Sequence, residues 1–124
     1  MSEVRSYRDL LVWQRAMDIA AATYELTRTY PRDELFGLTS QSRRAAASIA
    51  ANIAEGYGRA SRRTYSHFLR IAQGSLKELE THLILAERVS VTPQGSTEAL
   101  LDQADELGRM LRSLISKVQE QRAD

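Results

Sequence analysis

Ser61-Arg-Arg-Thr-Tyr-Ser-His-Phe-Leu-Arg-Ile-Ala-Gln-Gly-Ser-Leu-Lys-Glu-Leu-Glu-Thr-His-Leu-Ile-Leu-Ala-Glu-Arg88 carries the pattern that decides the fold. Tyr65, Phe68, Leu69, Ala72, Leu76, Leu79, Leu83 and Ala86 recur at spacings of three and four. That spacing is the apolar stripe of a helix with a 3.6-residue period. A helix over 62–88 is about 40 Å long at ~1.5 Å per residue. Ser61 is placed to cap its N-terminus.

Three further helices extend outward from this one. Upstream, Leu38, Ser42, Ala45, Ala46, Ile49 and Ile53 give a second helix over about 37–55, with an inner face of small residues. Gly56 and Gly58 are expected to end it as a left-handed C-cap. Further upstream, Leu10, Trp13, Met17, Ala20, Tyr24 and Thr27 predict a helix over about 8–28, stopped by Tyr30-Pro31. Downstream, Leu100, Ala104, Leu107, Leu111, Leu114 and Val118 predict a helix over about 96–120, capped by Ser96 or Thr97. No alternating β-type run competes. Short connections between long helices favour antiparallel neighbours, so the fold class is all-α: an antiparallel up-down-up-down four-helix bundle, a single domain over 1–124. Leu11, Val12, Ile19, Ile71, Leu85, Leu101 and Ile115 fall outside one narrow stripe per helix, and this second set predicts subunit contacts.

Composition agrees. The 124 residues include 2 Pro, 6 Gly and no Cys. The absence of cysteine excludes disulfides, thiolate metal sites and a Cys nucleophile. The longest weakly charged run, 45–54, is too short and polar to span a bilayer. The N-terminal residues lack the apolar core of a signal peptide, so a cytoplasmic location is expected. Net charge is only +1, but its distribution is uneven. Residues 41–70 hold six arginines against Glu55 alone, a surplus of five, which leaves −4 on the rest. Such asymmetry points to an anionic partner.

No motif supports catalysis, and neither a metal nor a cofactor is called for. His67 and His82 lie more than ~20 Å apart along one helix. Glu78 is followed at the Glu-x-x-His spacing by Thr81, so the di-iron pattern is missing. Gly-Tyr-Gly-Arg at 56–59 lacks the lysine and spacing of a phosphate-binding loop.

The strings Tyr7-Arg-Asp-Leu-Leu-Val-Trp13, Tyr30-Pro-Arg-Asp-Glu-Leu-Phe-Gly-Leu38, Gln41-Ser-Arg-Arg-Ala-Ala-Ala-Ser-Ile49, Asn52-Ile-Ala-Glu-Gly56 and Ile71-Ala-Gln-Gly-Ser-Leu-Lys-Glu-Leu79 occur in that order. In combination they resemble the bacterial four-helix-bundle family encoded by intervening sequences of large-subunit ribosomal RNA. The resemblance covers about residues 7 to 118. That family is similar in fold to the accessory protein of diversity-generating retroelements, a basic pentameric barrel that binds a reverse transcriptase and nucleic acid. The resemblance implies a ring-shaped homopentamer and an RNA-linked context, and brings no catalytic residues.

The arginines are the candidate functional residues. Arg59, Arg62 and Arg63 flank one turn and are expected together at one end of the bundle. Arg43, Arg44 and Arg70 are expected to approach a common level by antiparallel packing. Multiplied around a ring, they would create a strong field for phosphates. Tyr57 and Tyr65 flank the turn, where an aromatic ring can stack on a base, although Tyr65 also fits the core. Gln41, Ser48, Asn52 and Glu55 are expected to form a structural polar network with neighbouring helices or with Arg43 or Arg44. Two readings follow: a non-enzymatic RNA-binding adaptor, with or without a protein partner, or a protein-interaction scaffold whose arginines serve subunit contacts.

Overall fold

The computed structural model describes residues 3–123, with side chains described to residue 120. Ser6 caps the first turn. Its hydroxyl accepts from the Arg8 amide at 3.2 Å, and the Asp9 carboxylate accepts from the amides of Arg5 and Ser6 at 2.8 and 3.2 Å. This reciprocal cap holds a single 3-10 turn, Tyr7–Asp9. Leu10 is then extended, so the first long helix, α1, spans Leu11–Thr27 and starts later than the expected residue 8.

The buried face of α1 is Val12, Ala16, Ile19, Thr23 and Thr27. Of the stripe expected from spacing, Thr27 is buried and Leu10, Trp13 and Ala20 pack against the core, whereas Met17 and Tyr24 are 45% and 41% exposed. Both faces carry apolar residues at helical spacing. The face with smaller side chains packs inward because it lets the neighbours approach. Thr23 and Thr27 satisfy their buried hydroxyls by donating to the carbonyls of Ile19 and Thr23, each at 2.8 Å.

Pro31 ends the first connection. A 3-10 turn, Arg32–Glu34, leads into one wide turn, Leu35–Thr39, and then α2, Ser40–Tyr57. Gly37 is non-helical (φ −106, ψ −117), which moves the start of α2 from 37 to 40. There the Glu34 carboxylate accepts the Leu38 amide at 3.1 Å, and a Cβ on Gly37 would lie 2.8 Å from it.

Gly58 closes α2 in right-handed geometry (φ −76), so no left-handed cap is used at that end. Gly56 lies inside the helix for a different reason. A Cβ there would meet the Phe68 Cβ at 2.7 Å, so this glycine permits the close approach of α2 and α3. Ser61 caps α3, Arg62–Arg88, by accepting the Thr64 amide at 3.0 Å. After α3 the chain turns through Ser90 (φ 63) and Gly95 (φ 88) into α4, Glu98–Ala123.

α1 packs on α2 and α4, and α3 packs on α2 and α4. Among the described residues the chain is entirely helical. Its four long helices enclose a core that includes Ile19, Ile49, Ile53, Leu69, Leu76, Leu79, Leu83, Leu107 and Leu111. Of the second apolar set, Val12, Ile19 and Ile115 are buried and Leu101 is half-buried, so they complete the core. Leu11, Ile71 and Leu85 are exposed. On α4, Ile115 is buried, and Leu114, expected there, is half-buried against the core beside it. No helix among the described residues is long and apolar enough to cross a membrane.

Candidate functional site

The α2–α3 turn places Arg59, Arg62 and Arg63 within five residues at one end of the bundle, all three exposed. Arg59 is held by Glu55 at 3.4 Å, and its guanidinium lies 5.3 Å from the centroid of the Phe68 ring. Arg62 and Arg63 begin α3, whose first turn contains no acidic residue. The N-terminus of a helix carries partial positive charge, so cations there are disfavoured and an anion is favoured.

The other arginines lie elsewhere. The Nε of Arg43 donates to the Thr27 hydroxyl at 2.8 Å, and its guanidinium sits 4.7 Å from the Tyr24 ring centroid. It is engaged in pinning α2 to α1. Arg44 and Arg70 are exposed. Ser48 faces Ser75 at 2.8 Å across the α2–α3 interface, which fixes the antiparallel register of the two helices. In that register Arg43 and Arg44 lie opposite residues near 79, about nine positions from Arg70 along α3. At ~1.5 Å per residue the separation is about 14 Å, so the structure does not bring these three to one level.

The polar residues of α2 divide in the same way. Asn52 donates to the Ser48 carbonyl and hydroxyl at 2.8 and 2.9 Å, and Ser48 continues to Ser75. These three form the interhelical network. Gln41 is exposed, and Glu55 reaches Arg59 rather than a neighbouring helix. Tyr57 and Tyr65 meet edge to face with centroids 5.9 Å apart. Burial, reinforced by Tyr57, pushes the Tyr65 phenol up to about 12. Tyr65 packs against the core and anchors the turn from below.

Two cations were not evident from clustering in the sequence. Lys77 lies seven residues after Arg70 on α3, and Arg112 lies on α4. The structure places all three around one groove between these helices. The signal was present as the regular seven-residue step Arg63, Arg70, Lys77, but Arg112 joins it only through tertiary packing. Among the described residues no cluster of three or more His, Asp or Glu is arranged to hold a metal ion.

The model of the 23S rRNA-intervening sequence protein family matches residues 8–113. The chain belongs to this family. A member of related classification has a similar fold. It is a protein of unknown function from the S23 ribosomal protein family of Bacteroides thetaiotaomicron, known from a crystal structure. The two agree with a TM-score of 0.78 at 25% sequence identity, over 85% of this chain and 98% of that one. No curated protein matches the chain significantly. Within the 23S rRNA-intervening sequence family assignment, the matched span takes in α1, α2 and α3 whole, together with the arginine-bearing turn.

Proposed function

We propose that this member of the 23S rRNA-intervening sequence protein family is a non-enzymatic oligomeric adaptor that binds structured RNA through Arg59, Arg62 and Arg63. One observation carries the reading. Three exposed arginines crowd the positive end of α3, and Arg59 among them pairs with Glu55. Such an arrangement opposes both the helix dipole and the mutual repulsion of like charges, and a phosphate backbone relieves both. Oligomerisation, as the ring of five that the family resemblance implies, would repeat the cluster and strengthen its field. Exposed Leu11, Ile71 and Leu85 supply apolar surface for subunit contact.

The test is fluorescence anisotropy with a labelled RNA hairpin at 50 mM salt. Wild-type protein should bind, and affinity should fall steeply with added salt. Substituting Arg59→Gln, Arg62→Gln and Arg63→Gln together should weaken binding at least tenfold and flatten the salt dependence. Undetectable binding by the wild type, or unchanged binding by the triple variant, defeats the reading.

A second reading, a protein-interaction scaffold without nucleic-acid affinity, draws support from Phe36, which is 90% exposed on the connection between α1 and α2. An aromatic ring left in water at that level suits a protein partner. Loss of the assembly on Arg44→Ala substitution, with no RNA binding by the wild type, would favour this second reading.

A further inference from the structure

A groove of about 330 Å³ runs between α3 and α4 on the outer surface of the bundle. Gly74 and Gly108 keep it open, Leu76 forms its floor, and Arg70, Lys77 and Arg112 surround it. Gly108 lies against Leu76, so the antiparallel register sets Arg112 opposite residue 72, between Arg70 and Gly74. Two of the nearby carboxylates are engaged, while Glu78, one turn beyond Gly74 on α3, is exposed and forms no ion pair among the described residues. Glu80 holds Lys77 at 3.0 Å, and Asp105 pairs with Arg109. Among the described residues, Arg70 and Arg112 have no ion-pair partner. Two uncompensated guanidiniums and an ammonium thus converge on one concavity.

The packing of the chain does not account for the opening. A Cβ on Gly74 would meet nothing within 4 Å, and one on Gly108 would touch Leu76 at an ordinary 3.7 Å. Gly56 is the contrasting case, where a Cβ collides at 2.7 Å. Glycine inside a helix is less stable than alanine, so an opening that packing does not require is an expense in stability.

We propose that this groove seats a run of the phosphodiester backbone of the same RNA, as a second contact continuous with the arginine-bearing turn. The inference rests on the RNA-binding reading above. The shape of the charge favours a polymer over a lone anion. Arg63, Arg70 and Lys77 follow one another at seven-residue steps on α3, about 10.5 Å apart. They form a line of about 21 Å that starts in the turn cluster and ends in the groove. A carboxylate of another subunit would need only one of these cations, whereas a strand of repeated phosphates meets all of them. Arg70 and Arg112 supply planar forks for phosphate oxygens, and the exposed glycine backbone allows the strand to approach closely.

The experiment uses the full chain and a fluorescein-labelled RNA hairpin, with anisotropy read from 50 to 300 mM NaCl. Light scattering of each variant is measured in parallel. One variant removes charge: Arg70→Gln, Lys77→Gln and Arg112→Gln together. A second, Gly74→Phe, fills the groove while keeping every cation. The charge variant should bind at least tenfold more weakly at 100 mM salt, and its slope of log K against log salt should be shallower by about two. Gly74→Phe should weaken binding severalfold with its helical content and assembly mass unchanged. If both groove variants bind like wild type while the turn triple variant does not, the groove assignment is overturned and the RNA-binding reading survives. If the groove variants change the assembly mass and leave RNA affinity intact, the groove is a subunit contact and the assignment is overturned. If the wild type binds no RNA, both fall.

Discussion

Glu87, near the end of α3, secures the connection to α4. Its carboxylate accepts from the Gly95 amide at 2.8 Å, from the Thr97 amide at 3.1 Å, and from the Thr97 hydroxyl. These donors, the Thr97 hydroxyl foremost, hold the carboxyl below its ordinary range. The group therefore stabilises the fold when ionised. That contribution is complete above the unfolded carboxylate pKa, about 4.3, and is lost as pH falls through the lower folded value. The same negative charge acts on Tyr30, whose phenol is raised first by burial and then by Glu87. Glu87→Gln should lower stability at pH 7 and reduce the loss of stability on acidification below pH ~4.5. Urea unfolding from pH 7 down to pH 3 checks this. Parallel pH profiles for variant and wild type would show that the clasp carries no proton linkage.

At the scale of the elements, the glycines separate two ways for helices to meet. Gly56 is demanded by the Phe68 backbone-proximal contact, so Gly56→Ala should destabilise the fold by about 1–3 kcal/mol through overpacking. Gly74→Ala faces open space and should stabilise it by about 1 kcal/mol through helix propensity. Equilibrium urea denaturation of the two variants distinguishes them, and equal effects would contradict the packing described here. The four helices, their order and the inner faces of α2 and α3 were legible because each had one dominant apolar stripe. α1 was legible only in part: Leu10, Trp13, Ala20 and Thr27 turn inward as expected, but Met17 and Tyr24 compete with Val12, Ala16 and Ile19 at the same spacing and stay exposed. Only the size of the neighbouring residues chooses between them. The start of α2 was obscured by the wide turn at Gly37, and that of α4 by the clasp on Glu87, a contact ten residues distant in sequence. For the candidate site, the turn cluster was visible as a local run of arginines. The α3–α4 groove was not, since Arg112 enters it from another helix.

Across the whole molecule, chemistry is sorted by end. The α2–α3 turn carries Arg59, Arg62 and Arg63, whereas exposed Leu35, Phe36, Ile84, Leu85 and Val89 gather toward the opposite end, where α1 gives way to α2 and α3 to α4. Exposed Ile71 and Leu85 on α3 provide the most direct handle on self-association. On the proposed assembly, Ile71→Glu with Leu85→Glu should leave single chains by light scattering while circular dichroism still reports full helicity. A mass unchanged from that of the wild type would exclude this face as a subunit contact.

The length of α3 has a consequence for how those two ends communicate. Its 27 residues span about 40 Å, several times the ~8 Å over which mobile ions damp a surface charge at physiological salt. Neutralising the arginine end therefore leaves the electrostatic potential at the far end unaltered. Any message passed between them must travel mechanically, as a slight slide or tilt of a stiff rod.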